Sequence, residues 1–333
     1  MHLHFDAIAE LKPGPIWAGL FAGHWEAYKQ WFLSEGDSQR PSYLKSRKML
    51  RQYMPELIPT YEHLVELAGG GDLAARFLSL YRPPPYIAGC SQSVCPDHIN
   101  PILVRNYDYS PKLCEGTLLM SQWNDRKVIA MGDCIWGVLD GMNDSGLSVS
   151  LSFGGRTVVG KGFGVPIILR YVLEFCDSTD QATRVLQKIP THMSYNVTLL
   201  DRNGRFQTVF MAPDRTPVIR QIPMATNHQG RIEWRKHAEA TASLQRERFL
   251  AERLADTEET EQGFIRSFLE SPLYSTEYRR GFGTVYTTVY RPLQGEMEIC
   301  WPGMTWRQSF EQFQPGRQTI RYLSKVLESP IRH

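Results

Sequence analysis

The chain has 333 residues, of which 42% are hydrophobic and 22% are charged, and this composition is that of a folded globular protein. Its 37 basic and 35 acidic residues leave a formal net charge of only +2, so it lacks the surplus of cations that a nucleic-acid backbone attracts. No apolar run reaches the roughly 20 residues of a membrane span, and the N-terminus lacks the pattern of a signal peptide. We therefore expect a cytoplasmic protein that binds neither nucleic acid nor membranes.

Residues 1–85 are predicted to be helical. Within residues 16–35, large apolar side chains recur every three or four residues and would share one face of a helix. They are Trp17, Leu20, Phe21, Trp25, Tyr28, Trp31 and Phe32. Because the opposite face is not rich in Lys or Arg, we expect this stripe to pack against the rest of the protein. Further helical sequence over 43–81 is interrupted by glycines at 69–71 and ends before the prolines at 83–85.

Short strands dominate the rest of the chain. The predicted strands lie at 101–108, 117–123, 128–132, 146–153, 196–200, 206–211, 284–290 and 296–301. Two helices are predicted between them, one from Val165 and one from Ser178, where Gln181 completes the spacing of a capping box. A charged helix over 231–254 is expected to present a solvated face. These segregated runs predict an α+β fold with layers of mainly antiparallel sheet.

The most informative local pattern is Gly89 followed by Cys90. Glycine has no Cβ, so the Gly89–Cys90 peptide bond is open to attack by the Cys90 thiol. Cleavage there would give Cys90 a free α-amine with a pKa of roughly 7.7 to 8.0, which can act as a base near neutral pH. One residue would then supply both the nucleophile and the base. A buried cysteine in a turn explains the same pattern equally well.

Other chemistry for the cysteines is less well supported. Cys90, Cys95 and His98 are close in sequence and could ligate zinc, but a structural zinc site needs four ligands and no second pair follows. A papain-like cysteine–histidine pair is a further alternative, although the sequence around that family's nucleophile is absent. The downstream histidines are His192, His228 and His237. Motifs of phosphate loops, serine hydrolases and zinc proteases are also absent from the sequence.

Four motifs occur in order along the chain. They are Gly-Cys-Ser-Gln at 89–92, Arg-Asn-Tyr-Asp at 105–108, Asp-Gly-Met-Asn at 140–143 and Ala-Thr-Asn-His at 225–228. Together they resemble the acyl-coenzyme A:6-aminopenicillanic-acid acyltransferase family of N-terminal-nucleophile (Ntn) hydrolases, which is related to choloylglycine hydrolases and penicillin V acylases. The resemblance extends from Gly89 to about Gln312. Each motif alone is weak, but four in this order are specific.

The resemblance implies a role for the first two motifs. It makes Cys90 the nucleophile and the Gly89–Cys90 peptide bond the site of self-cleavage. Asp108 matches the carboxylate that stabilises the protonated α-amine. Arg105 matches the choloylglycine-type arginine, whose fixed charge favours a thiolate. This arginine departs from the penicillin-forming branch of the family.

The resemblance also implies roles for two asparagines. Asn143 and Asn227 match the residues that donate hydrogen bonds to the developing oxyanion. Turn chemistry explains Asn143 as well, and an ordinary loop explains Asn227. Thr287 and Thr288 are expected to line a substrate pocket, although the strand preference of threonine explains them equally.

The sequence and the resemblance together predict a four-layer αββα Ntn-hydrolase sandwich with an N-terminal helical extension. Residues 1–89 would form the segment separated by self-cleavage, and residues 90–333 would form the catalytic domain. The expected reaction is hydrolysis of a linear carbon–nitrogen amide of a small molecule through an S-acyl-Cys90 intermediate. Acyl transfer from a thioester or amide donor to an amine is the alternative, and a non-catalytic binding module on the same fold is the alternative of another class. No metal or other cofactor is expected, and formation of a homo-oligomer stays open.

Overall fold

The computed structural model describes residues 1–95 and 100–322. Its strands, numbered in chain order, are β1 His2–Glu10, β2 Gly89–Cys95, β3 Ile102–Tyr109, β4 Thr117–Ser121, β5 Val128–Asp133, β6 Gly137–Asn143, β7 Leu147–Phe153, β8 Tyr195–Asp201, β9 Phe206–Ala212, β10 Arg215–Arg220, β11 Met224–Ala225, β12 Gly283–Arg291, β13 Glu296–Trp301, β14 Met304–Ser309 and β15 Gly316–Arg321. Its α-helices are α1 Pro15–Phe32, α2 Tyr43–Tyr53, α3 Ile58–Leu67, α4 Asp72–Leu78, α5 Val165–Phe175, α6 Thr179–Lys188, α7 Arg235–Ala240, α8 Ser243–Ala255 and α9 Glu261–Ser267.

Two sheets form the centre of the fold. The larger sheet has nine strands in the order β10-β9-β8-β7-β6-β5-β4-β1-β15, and the smaller sheet has six in the order β11-β2-β3-β12-β13-β14. Strand β1 runs parallel to β4, and the other neighbouring pairs in the two sheets are antiparallel. The prediction of mainly antiparallel sheets is therefore confirmed.

The sheets pack face to face and carry helices on their outer sides. Strand β7 of the larger sheet contacts β2 and β3 of the smaller one. Helices α5 and α6 lie against the larger sheet, and α8 lies against β2 and β11 of the smaller sheet. This arrangement gives the four layers αββα, so the predicted α+β class and layering are confirmed.

The period-two alternation of strands decides which side chains of the smaller sheet meet the larger sheet. On β2 and β3, the side chains of Cys90, Arg105 and Tyr107 point into the space between the sheets, where Arg105 reaches the backbone of β7. The neighbouring Gly89 and Asp108 face the helix layer formed by α8. We call these the inner and outer faces of the smaller sheet.

Residues His2–Glu10 form a strand, which corrects the prediction that residues 1–85 are helical throughout. Strand β1 lies between β4 and β15, and its alternate residues Phe5 and Ala7 are buried. This short period-two pattern fits a strand better than a helix, and its hydrogen-bonding partners come from distant parts of the chain. The N-terminal segment thus contributes a strand inside the larger sheet.

The aromatic stripe of α1 packs on the protein as predicted. Trp17, Phe21 and Phe32 are buried, and the half-buried Trp25 and Trp31 pack against the same core. No helix within 1–95 and 100–322 is long and apolar enough to cross a membrane.

The charged segment at 231–254 differs from the single solvated helix that was predicted. It forms two helices, α7 and α8, which are separated near Ala242, where the backbone has a φ of 49°. Helix α8 buries Ser243, Arg246 and Leu250, so one of its faces packs into the protein.

Candidate active site

Cys90 is the second residue of β2 and is completely buried in the intact chain. Its backbone N–H donates to Oδ1 of Asn227 at 3.0 Å, and its Sγ lies 3.5 Å from Nη2 of Arg105. The backbone nitrogen and the sulfur of Cys90 are therefore held by different groups.

The position before Cys90 leaves little room for a side chain. A Cβ added at Gly89 would lie 3.2 Å from Cβ of Asp108, so it would crowd the side chain of Asp108.

Arg105 forms a buried ion pair with Asp140 of β6 between the two sheets. The Nε of Arg105 donates to the backbone oxygen of Leu151 at 2.9 Å, and its Nη1 lies 3.0 Å from the hydroxyl of Tyr286. These contacts aim the remaining guanidinium nitrogen, Nη2, at the Cys90 thiol.

Three hydroxyl groups hold Asp140 on its other sides. Tyr286 donates to Oδ2 at 2.9 Å, while Thr288 and Tyr290 donate to Oδ1 at 2.9 and 2.6 Å. A buried carboxylate needs such partners because it has lost its water. Sequence reasoning missed Asp140 as a site residue, although it opens the motif at 140–143.

The electrostatic setting of the thiol has opposing contributions. Burial raises the pKa of Cys90, and the charge of Asp108 raises it further. The charge and hydrogen bond of Arg105 lower this pKa, as does a hydrogen bond with the backbone of Asp108. Burial also acts against the charged form of Arg105, but Asp140, Cys90 and the two neighbouring tyrosines together outweigh this effect, and the pKa of Arg105 lies well above its ordinary value. Arg105 thus remains a fixed cation beside the thiol.

Asp108 lies on the outer face and pairs with Arg246 of α8. Its Oδ2 is 3.3 Å from Nη1 of Arg246, and its Oδ1 accepts a hydrogen bond from Thr284 at 2.7 Å. Burial raises the pKa of Asp108 to about 6, although Arg246 and Thr284 act in the opposite direction. Asp108 is therefore about half protonated near pH 6.

Arg246 connects the groups around the Gly89–Cys90 bond. Its Nη1 donates to the backbone oxygen of Cys90 at 2.7 Å, and its Nη2 donates to Oδ1 of Asn227 at 2.6 Å. Sequence reasoning missed this residue because its segment is rich in charge. The spacing of Arg246 and Leu250 on one face of α8 is the signal that could have revealed it.

Asn227 follows the short strand β11 and brackets the residues on both sides of Gly89. Its Oδ1 accepts the N–H of Cys90, while its Nδ2 lies 3.4 Å from the backbone oxygen of Ala88 and donates to that of Phe153 at 3.1 Å. The hydroxyl of Ser243 accepts the backbone N–H of Asn227 at 2.9 Å and holds it in place. The structure therefore brings Cys90, Arg105, Asp108 and Asn227 together, as the motifs predict.

Asn143 does not join this cluster, and its predicted role in the oxyanion site needs correction. Its Nδ2 donates to the backbone oxygens of Leu173 and Cys176, each at 2.8 Å, and its Oδ1 accepts the N–H of Leu147 at 3.0 Å. These bonds tie the end of α5 to the turn between β6 and β7. Its side-chain amide is already used by the fold and has no free hydrogen for a substrate.

The two predicted pocket threonines point to opposite faces of β12. Thr288 is on the inner face and holds Asp140, whereas Thr287 is on the outer face and donates to Oδ1 of Asn106 at 2.7 Å. Both are completely buried. Their contacts indicate supporting positions rather than contact with a substrate.

The alternative uses of Cys90 find no geometric support. Cys95 packs with the cluster on the opposite side of β2 from the Cys90 thiol, and His98 of the zinc alternative lies outside the described residues. The thiol hydrogen-bonds to Arg105, and within residues 1–95 and 100–322 none of the three histidines of the papain-like alternative forms a hydrogen bond with it.

A cavity opens on the outer face beside the Gly89–Cys90 bond. It has a volume of about 520 Å³, and Gly89, Asp108 and Arg246 form part of its wall. Residues of the segment 269–277 line the opposite side.

Comparison with known proteins gives a family match over more than half of the chain. Residues 96–306 match the family described as acyl-coenzyme A:6-aminopenicillanic acid acyl-transferase. The match begins shortly after Cys90. No curated protein matches the chain.

Several solved structures are similar to the chain at low sequence identity. A mutant conjugated bile acid hydrolase from Clostridium perfringens has a TM-score of 0.46 and 12% identity, with 73% of this chain and 100% of that chain covered. Penicillin V acylase from Agrobacterium tumefaciens has a TM-score of 0.47 and 14% identity, with 67% and 86% covered. The Caenorhabditis elegans orthologue of N-acylethanolamine-hydrolyzing acid amidase has a TM-score of 0.44 and 18% identity, with 61% and 93% covered.

The assignment rests on the family match, which extends from the strand that carries Arg105 and Asp108, through Asn227, to β14. The chain belongs to the acyl-coenzyme A:6-aminopenicillanic acid acyl-transferase family.

Proposed function

We propose that this protein is a cysteine Ntn amidohydrolase that cleaves its own Gly89–Cys90 bond and then hydrolyses a linear amide of a small molecule. The observation that carries the proposal is the arrangement around Cys90. Its thiol faces the fixed cation Arg105 at 3.5 Å, and its backbone nitrogen is held separately by Asn227 at 3.0 Å. Such a separation is needed if the thiol is to act as nucleophile while the nitrogen becomes a free amine.

Self-cleavage would begin with attack of the Cys90 sulfur on the carbonyl carbon of Gly89. The carbon–nitrogen bond then breaks, and the thiol proton goes to the leaving nitrogen of Cys90. Water hydrolyses the resulting thioester, which gives a carboxylate at Gly89 and restores the thiol of Cys90. Arg246 binds the backbone oxygen of Cys90 at 2.7 Å and would keep the new N-terminal residue in place.

Turnover would use the same groups on a substrate. The new α-amine accepts the thiol proton, and the sulfur attacks the amide carbonyl of the substrate. The amine product leaves with that proton, and water releases the acyl group as an acid. Asp108 can stabilise the α-ammonium through charge, and the amide of Asn227 can donate to the oxyanion once residues before Cys90 have moved.

Self-cleavage gives a test that requires no substrate. Intact-mass measurement of the purified protein should show fragments of residues 1–89 and 90–333, whereas Cys90→Ala should remain whole. The fragments should co-elute in size-exclusion chromatography and separate only under denaturing conditions, because β1 is paired within the sheet to β4 and β15. Cleavage at another bond, or a Cys90→Ala protein that is cut, would contradict the assignment.

The two asparagines provide a matched pair of variants. In the self-cleaved protein, Asn227→Ala should lower turnover of an acyl p-nitroanilide by about 100-fold or more, since removal of one oxyanion donor has effects of this size. Asn143→Ala should turn over the substrate at an almost unchanged rate but lose about 1–3 kcal/mol of unfolding free energy, because it leaves buried backbone groups without partners. The turnover rates are followed by release of p-nitroaniline and the stabilities by urea unfolding. Equal turnover rates for the two variants would remove Asn227 from the mechanism.

Acyl transfer to an amine is the second candidate, and the description of the matching family supports it. Both reactions pass through the same S-acyl-Cys90 intermediate. With acyl p-nitroanilides of different chain length as substrates, we expect release of p-nitroaniline and free acid, with the acid remaining the main product after a primary amine is added. Mass spectrometry of the products decides between the reactions. An acylated amine that forms faster than the free acid would reverse the order of the two candidates.

A further inference from the structure

A second cavity lies on the side of the smaller sheet that the Cys90 thiol faces. It has a volume of about 260 Å³ and is lined by α1, by the segment after β3 and by the end of β5. We call it the aromatic cavity because Tyr28, Trp31, Tyr86 and Tyr109 form much of its wall. The Trp31 ring packs edge-on against Tyr28 and Tyr86, with centroid distances of 6.1 Å in both pairs.

Side-chain contacts connect this cavity to the nucleophile. The guanidinium of Arg105, which contacts the Cys90 thiol, lies 4.8 Å from the ring centroid of Tyr107. The rings of Tyr107 and Tyr109 are 5.4 Å apart, and Tyr109 lines the cavity. Residues 105, 107 and 109 alternate onto one face of β3, so the cavity and the thiol share the inner face.

Two carboxyl groups in the cavity wall converge on one hydroxyl. The hydroxyl of Tyr28 lies 3.0 Å from Asp133 and is also hydrogen-bonded to Glu115. The oxygen of Tyr28 already accepts the backbone N–H of Cys134 at 2.9 Å. The backbone N–H of Ile135 donates to Glu115 at 2.8 Å, but the single hydroxyl hydrogen of Tyr28 cannot be donated to both carboxylates at once. When both carboxyl groups are ionised, the pair therefore carries negative charge that a proton or a bound cation would neutralise.

No basic side chain supplies that cation within the described residues. Neither Glu115 nor Asp133 forms an ion pair there, and Lys112, the exposed basic residue of the cavity wall, lies beyond ion-pair distance of both. Burial raises the pKa of Glu115 and Asp133, and the charge of Glu115 raises that of Asp133 further. Hydrogen bonds from Tyr28 and from the backbone oppose this effect in both groups, as does the more distant charge of Arg105 for Asp133, but the pKa of each stays above its ordinary value. Burial lowers the pKa of His24, which also lines the cavity, so this ring is neutral near pH 7.

We propose that the aromatic cavity binds the ammonium group of a substrate that carries a primary amine beside an apolar or aromatic body. The ammonium would donate hydrogen bonds to Asp133 and Glu115 and supply the charge that the pair lacks. The aromatic wall would bind the apolar body and attract the cation through the ring faces. This inference rests on the proposed function, because it treats the cavity on the thiol side as part of the substrate site.

Binding to the full-length Cys90→Ala protein tests this inference without turnover. The probes are phenethylamine and its uncharged counterpart 2-phenylethanol, compared by isothermal titration calorimetry at pH 8. Phenethylamine should bind about tenfold or more tightly than the alcohol, as expected for charge-assisted hydrogen bonds. Equal affinities for the two probes would overturn the proposal.

Variants locate the binding to the carboxyl pair. Asp133→Asn with Glu115→Gln should weaken phenethylamine binding by about tenfold or more and leave the alcohol almost unchanged. Glu26→Gln, an exposed position on the same helix as Tyr28, is the matched control and should bind both probes as before. Unchanged amine affinity in the double variant would contradict the proposal. If circular dichroism shows that the double variant is unfolded, the proposal is tested by the affinities of phenethylamine and 2-phenylethanol for the Cys90→Ala protein alone.

Failure of this inference and failure of the proposed function give different results. Failure of the wild-type chain to cleave itself would contradict the function, but it would not alter probe binding by Cys90→Ala. Loss of amine selectivity with intact self-cleavage would contradict only the substrate class.

Discussion

The buried ion pair between Arg105 and Asp140 is the interaction on which the arrangement of the site depends. It lies between the sheets and joins β3 to β6. Tyr286 of β12 donates a hydrogen bond to Asp140, and Arg105 donates one to the backbone of Leu151 in β7, so four strands meet at the pair. Removal of one partner from such a pair leaves an uncompensated charge, which typically costs about 3–5 kcal/mol. The hydrogen bonds that stabilise the buried pair also hold the guanidinium of Arg105 beside the Cys90 thiol. The same contacts therefore contribute to folding stability and to the proposed chemistry.

In the proposed mechanism Cys90 acts through its thiol as the nucleophile and through its α-amine as the base, and the smaller sheet places these two groups in different surroundings. On its inner face the thiol of Cys90 meets Arg105, and on its outer face Asp108 and Arg246 surround the peptide group. Strand alternation produces this separation, since adjacent residues point to opposite sides. A thiolate can therefore be stabilised by one cation while the neighbouring nitrogen is placed among hydrogen-bond partners of its own.

The sequence predicts most of the layers, because the periodicity of apolar residues and the order of helices and strands are read along the chain. The motifs predict that Cys90, Arg105, Asp108 and Asn227 come together in the fold. The failures have physical reasons. Asn143 looks like an oxyanion donor in its motif, but its amide closes the end of α5, and Asp140 of the same motif reaches the site. The helical prediction for β1 was wrong because its partners are remote in sequence.

The central claim is that Arg105, held in place by Asp140, lowers the pKa of the Cys90 thiol against the effect of burial. NMR of protein labelled with ¹³C at cysteine Cβ, with the Cys90 signal assigned by Cys90→Ala, measures this pKa directly. Arg105→Gln with Asp140→Asn removes both charges and should raise the pKa of Cys90. Arg156→Gln with Asp214→Asn removes an ion pair that does not contact Cys90 and should leave that pKa unchanged. An unchanged or lower pKa of Cys90 in the Arg105 and Asp140 double variant would contradict the account.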